Sequence, residues 1–186
     1  MILPIIAYGD PVLRKTGKDI TNEYPNLDAL LENMFETMYE ARGIGLASPQ
    51  VGVPILLFIV DATPFEEDEE LTEEERAFLS TFKQVFINAK IIKETGDEWA
   101  FNEGCLSIPD IREDIFRNDT IKIEYLDENF EKYTKKFHGI VARIIQHEYD
   151  HMDGLNFTNR VSKLKMDRAK KRLKKVQKKL DNSYLT

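Results

Sequence analysis

Two histidines stand four residues apart in the stretch QHEYDHMDG, residues 146–154, with a glutamate directly after the first. On a helix, residues four apart project from one face. His147 and His151 can therefore offer two imidazoles to one divalent metal, and Glu148, one step round, can carry protons beside it. Two imidazoles alone leave such an ion short of ligands. The chain holds three histidines and a single cysteine, Cys105, in the stretch EGCLSIPD. As a thiolate, Cys105 completes a Cys-His-His set and leaves a fourth position for water. That is the pattern of a catalytic site, because structural zinc sites close all four positions. A lone cysteine is also a common inert core residue, so its assignment rests on the histidine pair. A third stretch, GIGLASPQ at residues 43–50, has two glycines that let backbone approach a ligand closely, and Gln50 offers a side-chain amide donor. Taken alone it reads as a helix-to-strand turn.

These residues need elements to hold them. Ile140, Val141, Ile144, Ile145 and Tyr149 recur at helical period, so residues 140–152 are expected to form the most buried helix, stopped by Gly154. An earlier helix over 26–41 carries Leu27, Leu30, Leu31, Met34, Met38 and Ala41, a core-facing stripe, and Gly43 is expected to stop it. The stretch ILLFIVD, at about 55–61, reads as a buried strand. QVFINAKIIKETG and EWAFNEG read as two further strands. TIKIEYLD alternates Ile121, Ile123 and Tyr125 with polar residues, and EKYTKKFHG returns from it through a DENF hairpin. The expected fold is α+β: antiparallel β-sheets around a central metal-binding helix, with an N-terminal helix and a C-terminal helix packed outside.

Composition sets the frame. With 186 residues, 42% hydrophobic, the chain suits one compact domain. A net charge of −7 excludes a surface-wide nucleic-acid footprint, so no specific DNA partner is expected. The opening MILPIIAYGDP is apolar but short and lacks basic residues. It reads as an edge strand or anchoring segment rather than a secretory signal, and, not being Arg- and Ser-rich, it is not expected to be a transit peptide. No run approaches the roughly 18 apolar residues of a membrane span. A single cysteine forbids an internal disulfide and points to a reducing compartment. Two segments stand apart. Residues 62–80 hold eight acids between Glu66 and Glu75, with Thr72 and Glu75 spaced as a capping box, and read as a solvated surface excursion. Residues 161–182 place Met166, Ala169, Leu173, Val176 and Leu180 at helical spacing, with ten Lys or Arg against one acid between Lys163 and Lys179.

Together the three chemistry-bearing segments resemble one family, peptide deformylase. Its motifs stand here in order as Gly43-Ile44-Gly45-Leu46-Ala47-Ser48-Pro49-Gln50, Glu103-Gly104-Cys105-Leu106-Ser107 and His147-Glu148-Tyr149-Asp150-His151, and GDPVLRK resembles its amino-terminal signature. Ser48 departs from the family's usual alanine, and its hydroxyl needs a partner if buried. The resemblance extends to about residue 160. It implies a catalytic domain over 1–160, with 161–186 a basic helix packed on it. The implied reaction removes the N-formyl group from formyl-methionine on new polypeptides and releases formate, in a bacterial cytoplasm. The implied metal, held by Cys105, His147 and His151, is Fe(II), with zinc, nickel or cobalt as substitutes. Fe(II) beside a thiolate implies oxygen sensitivity.

The resemblance further implies roles for single residues. Glu148 is the general base, and Gln50 with the Leu106 backbone N–H is the oxyanion donor pair. Gly43, Ile44, Gly45, Glu103 and Gly104 contact or frame an extended peptide. Arg112 reads equally as a solvated charge and as a contact near the peptide's downstream end. Arg117 is expected to pair with Glu103, Asp150 to anchor its helix, and His138 to be an ordinary strand-end residue. The basic tail reads equally as a solvated helix and as a docking element for ribosomal phosphates. Two other readings compete. A zinc endopeptidase needs a third ligand after His151, where neither His nor Glu follows. A metal-free interaction module led by the basic helix would bind no metal.

Overall fold

The computed structural model describes residues 1–155. The expected helix over 161–182 and the boundary at 160 lie outside the described residues. Helix α1 spans Leu27–Glu40, strand β1 Gly45–Ala47 and β2 Leu57–Asp61. A short helix α2, Glu73–Leu79, follows, then β3 at Lys83–Cys105, β4 at Ile108–Leu126, β5 at Lys132–His138 and helix α3 at Gly139–Met152. The strands form one antiparallel sheet in sequence order, β1-β2-β3-β4-β5.

Strand β2 is buried along its whole length because both faces of the sheet are covered there. Its side chains alternate. Phe58 and Val60 join a core with Phe86, Tyr125, Phe137 and the α3 residues Val141, Ile144 and Ile145. Leu57 and Ile59 join a second core with Leu27, Leu31, Met34 and Met38 of α1. The sheet thus lies between α3 and α1. Phe58 and Phe86 stack with ring centroids 4.6 Å apart. Each such buried apolar side chain contributes about 1.5–3 kcal/mol relative to exposure.

Several local features differ from the sequence expectation. QVFINAKIIKETG and EWAFNEG are one continuous strand, β3, interrupted only by register shifts, and its partner β4 begins at Ile108 rather than near Thr120. The charged stretch between Ile111 and Asp119 hid β4, because much of its outer face is solvated. Residues 45–47, inside the glycine-punctuated stretch, form β1. Helix α1 closes one residue earlier than expected: Arg42 takes the left-handed conformation at φ 55°, and Gly43 N–H donates to the Met38 carbonyl at 2.8 Å. Arg42 bears about 1 kcal/mol of strain for this, and a Cβ at Gly43 would press on the tip of the Leu106 side chain at 2.8 Å. At the end of α3 the expectation holds. Gly154 sits at φ 71°, and the N–H groups of Gly154 and Leu155 donate to the His151 and Asp150 carbonyls.

Candidate metal centre

The site lies where α3, β1 and the β3–β4 hairpin meet. Helix α3 buries His147, Glu148, Asp150 and His151 against the sheet. Cys105 ends β3, Leu106 and Ser107 form the two-residue turn, and Ile108 pairs back with Cys105. A register shift at Gly104/Cys105 re-aims the end of the strand, as bulges beside functional sites do. The hairpin carries Cys105 to the histidines: its sulfur lies 3.2 Å from His151 Nε2. One ligand atom from each of Cys105, His147 and His151 falls within 4.8 Å of the others. Bonds of 2.3 Å to sulfur and 2.1 Å to nitrogen on a tetrahedral ion place such atoms about 3.5 Å apart. The three side chains therefore fit a divalent metal.

Electrostatics favour the same ligand set. Burial raises the Cys105 thiol, but His151 and His147 override this and bring it down to about 5, so the thiolate prevails at neutral pH. His147 Nδ1 lies 2.8 Å from Glu103 Oε2. A carboxylate accepts, so Nδ1 carries the proton and Nε2 is left to coordinate. Burial lowers the His147 imidazolium pKa, while Cys105, Glu103 and Glu148 raise it to about 10. Metal binding at Nε2 must then displace a proton.

Glu103 is the hub of a buried ionic network. Arg117 holds both of its oxygens, at 2.7 and 3.0 Å, and reaches Asp150 at 2.8 Å. Arg143 adds a bond to Glu103 at 3.0 Å. Two guanidinium groups thus face two carboxylates, which makes the burial of all four charges tolerable. Burial opposes ionisation of Glu103, yet His147 and Arg117 hold it well below the usual carboxylate range. The Arg117–Glu103 pair and the anchoring of α3 through Asp150 match the sequence expectations. Arg143 was not anticipated. It stands four residues before His147, on the same helix face, and an arginine among Ile and Val in an apolar helix was the signal. It also donates to the carbonyls of Trp99 and Ile115, tying α3 to β3 and β4.

The remaining site residues fall into place around this centre. Gln50 is buried in a 3-10 turn, Ser48–Val51. Its Oε1 accepts from the Ala47 N–H at 2.9 Å, which aims Nε2 at Cys105 Sγ (3.5 Å) and Ser107 Oγ (3.2 Å). Ser48, the departure from the motif, satisfies its hydroxyl on the Ile55 carbonyl at 2.9 Å. The amino-terminal segment does anchor: Ile6 N–H donates to Gln50 and Tyr8 N–H to Ser107, so one extended stretch holds both loops. Glu148 is buried, and its Oε2 has no hydrogen-bond partner among the described residues. Burial pushes its carboxyl up to about 7. Gly45 packs so close that a Cβ would sit 2.5 Å from Glu148 Oε1.

A cleft of about 760 Å³ opens over these groups. Gly43, Ile44, Gly45, Glu103, Gly104 and Leu106 line it beside Gln50, Cys105, His147 and Glu148. Arg112, exposed at its rim, is held by Asn102 Oδ1 and the Asn102 carbonyl. His138 lies apart from the cleft lining, against Thr120 Oγ1 at the end of β5. No helix of the described residues is long and apolar enough to cross a membrane.

Comparison with known proteins covers the same part of the chain. The family model for polypeptide deformylase matches residues 2–167. A curated peptide deformylase of Flavobacterium johnsoniae is 57% identical over 176 residues, 95% of this chain and 90% of its own length. One from Cytophaga hutchinsonii is 41% identical over 178 residues, 96% of this chain and 92% of its own. Among solved structures, a peptide deformylase from Legionella pneumophila superposes with a TM-score of 0.83 at 32% identity, covering 97% of this chain and 98% of its own. One from Ehrlichia chaffeensis gives 0.84 at 31% identity, covering 96% and 98%.

Proposed function

The chain belongs to the polypeptide deformylase family, and from that premise we propose how its residues divide the work of removing the N-formyl group from formyl-methionyl polypeptides. The observation that carries the assignment is the convergence of Cys105, His147 and His151 beside a buried Glu148. Cys105, His147 and His151 would hold a divalent metal, which when bound would supply Lewis acidity beside Glu148 and Gln50. Glu148, buried beside the three ligands, takes the proton of the attacking water and returns it to the departing amine. Gln50 Nε2, already aimed at the sulfur side of the site, and the Leu106 N–H donate to the oxygen that gains charge. Glu103 fixes the His147 tautomer, and Arg117 and Arg143 keep Glu103 ionised and in place. The peptide pairs in extended form with backbone around Gly43, Ile44, Gly45 and Gly104, near Arg112, and leaves formate and a free methionine amino terminus.

Thiolate and imidazole donors suit iron, zinc, nickel and cobalt. Iron(II) is our choice, on the family resemblance, and the cytoplasm, where formylated chains are made, is the location. The test is an oxygen-free assay of formate release from formyl-methionyl peptides, run with elemental analysis of the same sample. Stoichiometric iron and formate release are expected. Internal cleavage of unblocked peptides without formate would favour the endopeptidase reading.

The basic segment after residue 160 supports a second part of the proposal. Its ten cations attract phosphate, and docking at the ribosome would place the enzyme where its substrate emerges. A chain ending at Val161 is expected to lose salt-sensitive ribosome binding while keeping turnover of a short formyl-peptide. Equal ribosome affinity with and without the segment would reject docking.

A further inference from the structure

The acidic stretch over residues 62–80 reads in sequence as a solvated excursion, yet its first turn reaches the cleft. Residues Thr63–Glu67 form a 3-10 turn, and Phe65, half-buried, lines the cleft beside Ile44, Phe101, Ile144 and His147. The turn is held rigidly. Asp61, buried at the end of β2, accepts from Thr63 N–H at 3.0 Å, Thr63 hydroxyl at 2.6 Å and Tyr39 hydroxyl at 2.5 Å. Phe65 N–H donates to the carbonyl of Ala62, which is itself fully buried and bonded through its N–H to Phe82. The ring packs against the core that contains Ile144. This is a placed aromatic side chain, not a passing contact of a loose loop. The same cleft is lined by Ile44, Ile144 and a second ring, Phe101 of β3, which has the Arg143 guanidinium 6.0 Å from its centroid.

A flexible thioether suits such a pocket, because sulfur makes favourable contacts with aromatic rings. We propose that Phe65 is a specificity-determining wall of the subsite that receives the methionine side chain, and that residues 62–67 serve substrate selection. This rests on the deformylase reading above. A long side chain in the pocket meets the wall; a methyl group does not reach it.

The test compares kcat/KM for formyl-Met-Ala and formyl-Ala-Ala peptides in wild type, Phe65→Ala, Phe65→Leu and Phe78→Ala. Phe78 belongs to the same acidic segment but lies exposed in α2, away from the cleft lining. Phe65→Ala is expected to lower the methionine-over-alanine preference by about tenfold, the scale set by losing apolar pocket contact. Phe65→Leu should fall between, and Phe78→Ala should match wild type. An equal fall on both substrates, no change, or a rise in the methionine-over-alanine preference would overturn the inference. Wild-type protein that releases no formate from either peptide would instead overturn the deformylase reading.

Discussion

Glu148→Gln is expected to keep its metal and lose turnover by about 10²- to 10⁴-fold in kcat, the range of a positioned general acid–base. The substitution preserves shape, which matters because Glu148 is buried and Gly45 packs directly on it. An amide cannot take the proton of water at neutral pH. It also does not add a buried charge, so the fold should survive; a carboxyl pushed up to about 7 by burial already costs the folded protein when ionised. Metal content and a thermal melt would be measured beside the rate of formate release. Loss of turnover with metal retained supports the assignment. A Glu148→Gln enzyme with wild-type turnover rejects it, and loss of metal would mean that Glu148 acts on the centre rather than on the substrate.

The second large effect is expected from Cys105→Ala. The sulfur is one of three donors, so its removal leaves two imidazoles and a site that cannot hold a first-row divalent ion through gel filtration. Formate release should drop to the limit of detection. The cost in packing is small, because Cys105 is only half-buried against the small cluster of Ile108, Ile111 and Ile115. A loss of thermal stability should follow from the lost ligand instead: a metal present at a hundredfold its Kd adds about 2.7 kcal/mol. Adding excess metal to wild type and variant separates the two contributions, since only wild type should gain. A Cys105→Ala protein with full metal occupancy and full activity would remove the sulfur from the centre.

Much of this arrangement was legible in the residues because the chemistry is concentrated. An apolar helix that spends two of three histidines on one face, and one cysteine flanked by glycine, define a site with few other uses. The Thr72–Glu75 capping box follows from residue type and spacing, the need of Ser48 for a partner follows from its hydroxyl, and the pairing of Arg117 with Glu103 follows from the family resemblance; all are present. Strand β4 did not show itself before Thr120, because its outer positions are charged and its pattern lacks clean alternation. Arg143 and Phe65 escaped for a different reason. Each meets neighbours distant in sequence: Arg143 bonds to Glu103, Trp99 and Ile115, and Phe65 lines one cleft with Ile44, Phe101 and Ile144. Periodicity reports which face of an element is buried, but not which side chain from another element meets it there.

The tight contact of Gly45 with Glu148 has one more outcome. Strand β1 is at the margin of the sheet, and Gly45 lies on it directly against the acid. A guest strand that aligns on this margin has its position set in steps of about 3.3 Å, and a slip by one residue turns its side chains over. Such a misaligned guest would be held but would present the wrong atom to the carboxylate. In the proposed mechanism, alignment of the guest and proton delivery would then both depend on this one contact between Gly45 and Glu148.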